Sequence, residues 1–93
     1  MVIGVLHLAL RLPEAHSLKE KRRILKSLVT RVKNGFNVSI AEVEAQDKWQ
    51  LSTIVVAHVG NSRPHSNQLL DHVLQFAESV KQIEVVDSKL EFF

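Results

Sequence analysis

Leucine occupies every second position from Leu6 to Leu12, with Gly4 in the same phase, and no other feature of this 93-residue chain narrows its fold as much. Alternation with a period of two marks a strand that buries one face and leaves the other uncovered. Residues 2–12 therefore read as a strand with Gly4, Leu6, Leu8, Leu10 and Leu12 toward a core and Ile3, Val5, His7, Ala9 and Arg11 away from it. Pro13, which has no N–H for a ladder, ends the strand, and Glu14-Ala15-His16 makes a short connection. No Lys or Arg precedes the apolar run from Met1 to Leu10 and no small-residue cleavage site follows it, so a signal peptide is not expected. The run is also well short of the ~20 residues a membrane helix needs. The expectation is a soluble, cytoplasmic chain with no membrane partner, in which Asn37-Val38-Ser39 is not a glycosylation site.

The remaining elements follow from periodicity and punctuation. Ser17 with Glu20 forms a capping box, and Leu18, Leu25, Leu28, Val29 and Val32 then recur on one arc of a helix that stops at Asn34-Gly35, with Gly35 suited to a left-handed end position. Phe36–Ala45 and Leu51–Val59 read as strands joined by the polar loop 46–50, the second apolar on both faces as in the middle of a sheet. Ser62 and Pro64 open a second helix whose stripe is Leu69, Leu70, Val73, Leu74, Phe76, Ala77 and Val80. In the last strand, Ile83–Phe93, Val86, Ser88, Leu90 and Phe92 alternate with Asp87, Lys89 and Glu91.

The order βαββαβ with right-handed crossovers predicts one α+β domain over residues 1–93: a ferredoxin-like two-layer sandwich whose four-stranded antiparallel sheet carries both helices on one face. A composition of 45% hydrophobic residues supplies the core without staples. With no cysteine, disulfides, thiolate metal sites and a cysteine nucleophile are excluded.

Met1-Val2-Ile3-Gly4-Val5-Leu6, Ser17-Leu18-Lys19-Glu20-Lys21-Arg22-Arg23, Phe36-Asn37-Val38-Ser39-Ile40-Ala41-Glu42-Val43 and Asp47-Lys48-Trp49-Gln50 together resemble the YlxP-like family along essentially the whole chain. These are small bacterial proteins of uncharacterised function, often encoded among translation and ribosome-maturation factors. The resemblance implies a ferredoxin-like fold and a bacterial cytoplasmic setting. It brings no catalytic residue with it, and gene neighbourhood is an association rather than a site.

Charge carries the functional signal. The net charge of +2 is a near-cancellation: residues 11–33 hold eight basic and two acidic side chains, a net of +6, and residues 34–93 hold four basic and eight acidic ones, a net of −4. On the first helix Lys19, Arg22, Arg23, Lys26 and Lys33 share one arc beside the apolar stripe, with no acid between Glu20 and Glu42 to pair with them. An ordinary solvated face is the plain reading of such an arc, and a phosphate backbone is the functional one. RNA or the ribosome is thus the first candidate partner of a non-catalytic binding module. Lys21 differs, since its wheel position falls inside the apolar arc, where it snorkels along the helix edge or reaches the 14–16 loop in a structural role.

The uncovered sheet face is the second candidate site. Ile3, Val5, His7, Ile54, Val56 and His58 are expected there, extended by Ile40 if its strand keeps register. The absence of Phe, Tyr and Trp from the two central strands disfavours base stacking of the RRM kind. An aliphatic patch of this type suits a homodimer or a protein partner. His7 and His58 then come near each other with only Glu42 as a third candidate ligand, so they read as interface histidines and neither a metal nor another cofactor is expected. A small phosphohydrolase of the acylphosphatase kind is a third possibility and is disfavoured. The loop Leu12–Ser17 has no glycine to wrap an anion, Glu14 repels one, and Ser17 serves as a cap rather than in a triad with His16 and Glu14. Trp49, in the hairpin loop, is expected to pack against the end of the domain.

Overall fold

The computed structural model describes residues 1–93. The elements run β1 (Val2–Arg11), α1 (Leu18–Gly35), β2 (Ser39–Glu44), β3 (Leu51–Gly60), α2 (Arg63–Ser79) and β4 (Glu84–Phe92), and the antiparallel sheet has the order β2-β3-β1-β4. This is the ferredoxin-like α+β arrangement. Ser17 and Ser62 cap the helices by accepting from the backbone N–H groups of Glu20 and His65. The Glu20 carboxylate reaches back to the His16 N–H at 3.3 Å rather than to that of Ser17. Gly35 does not take the left-handed conformation: it belongs to the last turn of α1, and extended Phe36 ends the helix by donating to the Val32 carbonyl.

Leu6, Leu8, Leu10 and Leu12 lie against Ile24, Leu25, Leu28 and Val32 of α1 and Leu70, Val73 and Ala77 of α2 in one buried cluster. Antiparallel partners share a face, and the pairs Leu6↔Val56, Leu8↔Ile54 and Gly4↔His58 therefore settle the phase of β3. Ile54, Val56 and His58 face the helices and are buried, which overturns their placement on the uncovered face. Ile40, opposite Val56, is buried with them and does not extend the open face. The open face of β3 is made instead by Thr53, Val55, Ala57 and Val59. Because β3 is apolar in both phases, alternation alone does not distinguish them; pairing with the leucine face of β1 does.

Two bulges complete the sheet. One lies between Glu42 and Glu44 and leaves Val43 exposed; the other shifts β4, so that Val85 pairs with Leu10 and Asp87 with Ala9. Val86, expected in phase with Leu90, is consequently turned out to solvent.

One polar group sits inside this architecture. Lys21 is 1% exposed, and its ammonium lies 3.0 Å from a Glu42 carboxylate oxygen and donates to the Ala45 carbonyl. The same Glu42 oxygen accepts from the Ser52 hydroxyl at 2.6 Å. Ala45 has a φ of 60°, a left-handed conformation that costs a residue with a Cβ about 1–2 kcal/mol. Its carbonyl is thereby presented to Lys21. Lys21 thus reaches β2 and the turn after it rather than the 14–16 loop.

Two measurements test this packing. A Cβ on Gly4 meets Leu70 Cδ1 at 2.7 Å, whereas one on Gly35 meets nothing within 4 Å. Gly4→Ala is expected to lower stability by about 1–3 kcal/mol in urea denaturation, and Gly35→Ala to raise it by up to about 1 kcal/mol. Lys21→Met, which leaves Glu42 without its cation, is expected to cost about 3–5 kcal/mol. Lys21→Met combined with Glu42→Leu is expected to recover more than half of that loss, and additive losses in the double-mutant cycle would contradict the coupling.

Candidate functional site

The rotation of α1 determines which of its charges meet solvent. Lys21, Ile24, Leu25, Leu28 and Val32 face the sheet, so Lys19, Arg22, Arg23, Lys26 and Lys33 are all exposed. None of these five lies within 4.0 Å of a carboxylate.

The other cations are mostly engaged. Of the 12 Lys and Arg residues, Arg11 pairs with Glu84 at 2.8 Å, Lys21 with Glu42 at 3.0 Å, and Lys89 with Glu91 at 3.7 Å. Arg31 and Arg63 lie over the rings of Phe76 and Phe92, 4.8 and 4.6 Å from the centroids. Seven cations remain, and five of them are the exposed residues of α1; Lys48 and Lys81 are the other two. Lys33, in the last turn, also interacts favourably with the helix dipole, so its placement has a local reason as well.

The open sheet face has a different character. Across the register, Ile3 stands beside Val59 on β3 and exchanges backbone hydrogen bonds with Phe93, giving a row in which Val59 is 64% and Phe93 71% exposed. The next row is Ser39, Ala57, Val5 and Glu91, and the one after it Ala41, Val55, His7 and Lys89. Ile3, Val5 and His7 therefore stay on the expected face, half-buried by their neighbours. His7 Nε2 is 2.8 Å from Glu91, which makes the β4 edge of the face polar and its β3 side aliphatic.

His7 and His58 stand on opposite faces of the sheet, and Glu42 is occupied by Lys21 and Ser52, so the three do not converge. No cluster of three or more His, Asp or Glu side chains is arranged to hold a metal. His58 Nδ1 is instead 2.6 Å from the hydroxyl of Ser66 on α2. Ser66 is fully buried, so this pair joins β3 to α2 and presents no nucleophile to a substrate.

Trp49 is not packed against the end of the domain: it is 55% exposed. It lines an open depression of about 520 Å³ together with Arg11, Asp47, Lys48, Gln50 and Leu51. Nothing local to the loop signals this exposure, because the packing of an indole at a hairpin end depends on whether the loop folds back on its sheet. No helix is long and apolar enough to cross a membrane.

Residues 3–90 match a family described as "Protein of unknown function (DUF503)". The chain is 45% identical over 80 residues to "Uncharacterized protein YlxP" of Bacillus subtilis (strain 168), an alignment covering 86% of this chain and 87% of the relative. In fold it is similar to the solved structure of "De novo designed protein Foldit4", with a TM-score of 0.53 and 16% identity over 100% of this chain and 94% of the other. That likeness concerns backbone architecture alone.

Proposed function

Since the chain belongs to the DUF503 family, whose function is unknown, the reading rests on its own surface, and we propose that it is a non-catalytic module that binds structured RNA through α1. The observation that supports this is the set of five exposed, acid-free cations Lys19, Arg22, Arg23, Lys26 and Lys33 in a molecule whose other cations are mostly paired or stacked. Unpaired Lys and Arg on one helix face displace counterions from phosphates, and such contacts position an RNA without reading its bases. Ribosomal RNA or its precursor is the candidate class, because large folded RNAs present closely spaced phosphates to a short helix. The central rows of the open sheet face, with no Phe, Tyr or Trp on their β1 and β3 positions, take no part in base recognition in this reading.

The test is co-sedimentation with ribosomal RNA at low salt. Arg22→Glu with Lys26→Glu is expected to abolish binding while circular dichroism stays unchanged, since neither side chain is buried. In the wild type the logarithm of affinity should fall with the logarithm of salt, and the milder Arg22→Gln with Lys26→Gln should reduce that slope by about 2. Undiminished binding by the charge-reversed variant would remove α1 from the reading.

A second reading uses the row Val59, Ile3 and Phe93 with Val5, Val55 and Ala57 beneath it as the contact for a second copy of this chain. Val5, Val55 and Ala57 are already largely covered by their neighbours, so a partner laid across the face orders few free side chains there and draws its apolar burial mainly from Val59 and Phe93. Light scattering is expected to give a mass that rises with concentration, and Val5→Asp to return it to that of the monomer. A constant monomer mass across the range refutes this reading.

A further inference from the structure

We propose that Trp49 is a stacking platform for one unpaired base of the RNA held by α1, an inference that rests on the reading of α1 as the RNA contact. The observations that carry it are the exposure of Trp49, the fixed position of its loop and the cations around it. An indole left 55% exposed at a loop tip is expensive to leave uncovered, and its flat faces suit a purine or pyrimidine. The depression beside it, about 520 Å³, is open to solvent and accommodates a base with its ribose.

The loop is tied to the segment that leads into α1. Gln50 Nε2 donates to the carbonyls of Pro13 and Ala15, each at 3.1 Å, and the Leu12 N–H donates to the Gln50 carbonyl at 2.9 Å. At the other end of the loop the Ala45 carbonyl accepts from Lys21 of α1 itself. Trp49 is thereby held at the end of the molecule where α1 begins, with its depression on the open face of the sheet beside Arg11 and Leu51, so a strand held by Lys19, Arg22 and Arg23 on the helix layer reaches it by passing around that end. A loop ordered before binding pays little entropy when a base arrives.

The charged groups near the indole, Arg11 and Lys48 with Asp47 and Glu84, suit a polar chain rather than an apolar peptide. Lys48 is unpaired, and Arg11 gives Glu84 only two of its five N–H groups, through Nε and Nη2, leaving the others free for a phosphate oxygen. Asp47 also lines the depression and, with Glu84, balances the two cations. The site therefore adds a contact to an RNA already positioned by α1 and does not recruit one alone. Stacking is tolerant of base identity, so the discrimination is between paired and unpaired nucleotides rather than between sequences.

Trp49 is the only Trp and the chain has no Tyr, so intrinsic fluorescence reports this one side chain. The experiment titrates the protein with an end-labelled RNA stem-loop carrying an unpaired pyrimidine loop, and with the fully paired duplex of the same stem, reading anisotropy and Trp fluorescence together. The stem-loop is expected to quench Trp49 strongly and the duplex hardly at all. Trp49→Ala is expected to weaken the stem-loop about tenfold and the duplex less than twofold, and Trp49→Phe to restore most of the difference. If both RNAs bind and Trp49 is not quenched, or if Trp49→Ala weakens both equally, the platform is refuted while the role of α1 stands; the indole then belongs to a protein contact. If neither RNA changes the anisotropy, the role of α1 and the platform fall together.

Discussion

The buried ammonium of Lys21 is the constraint on which the arrangement of the surface depends. A charge enclosed to this degree is tolerated only with a partner and its remaining protons satisfied, and Glu42 and the Ala45 carbonyl meet that condition from β2 and the turn beyond it. The pair fixes both the rotation of α1 and the end of β2. Turning the helix by one residue, about 100°, would replace Lys21 at the sheet by Arg22 or Glu20 and strip Glu42 of its cation. With Lys21 inward, the neighbouring cations have nowhere to go but out. The exposed arc of α1 is thus the complement of a buried contact.

The same contact links the two candidate regions. Ala45 opens the loop that carries Trp49, and its left-handed backbone directs the carbonyl at α1. The bulge at Val43 belongs to the same device, because it ends regular pairing after Glu42, the last β2 residue whose side chain points at the helices, and lets the chain turn early. A helix that carries positive charge and a loop that carries the one exposed indole are therefore joined through a polar interaction instead of a flexible surface.

Much of the fold was legible because its strongest signals are local. Leucine every second residue, a Ser-x-x-Glu start and a Ser-x-Pro start identify β1, α1 and α2 with little help from the rest of the chain. The uncovered half of the sheet was legible only in part. Ile3, Val5 and His7 follow from the leucine phase, but Ile54, Val56 and His58 do not, since β3 is apolar in both phases and its facing is decided by a partner 50 residues away in sequence. Bulges hid the facing of Val43 and Val86 for a related reason: they insert a residue without changing composition. The position of Lys21 inside the apolar arc announced a structural role, yet its partner depends on the β2 register, which no local pattern contains. The cations of α1 were readable because exposure of Lys and Arg needs only the wheel, whereas Trp49 was misplaced because nothing local states whether a loop folds back on its sheet.

The split of charge along the sequence becomes a split in space through strand order. α1 packs over β2, while Glu84, Asp87 and Glu91 lie on β4 at the other edge of the order β2-β3-β1-β4. Three strand spacings separate those edges, about 14 Å, and the Debye length at physiological salt is about 8 Å. The acids of β4 thus lie too far away to neutralise α1. Of the acids off β4, Glu42 is consumed by Lys21 and Glu20 is drawn to the backbone N–H of His16, while Glu14, Glu44, Asp47, Asp71 and Glu78 are exposed and none forms an ion pair with α1. Positive charge without ion pairs is thus concentrated on one side of the molecule, while the acids of β4 are largely matched by Arg11 and Lys89 on the other, a separation of the kind that orients the approach of a charged partner. A net charge of +2 understates this, because steering depends on the separation of the charges and not on their sum.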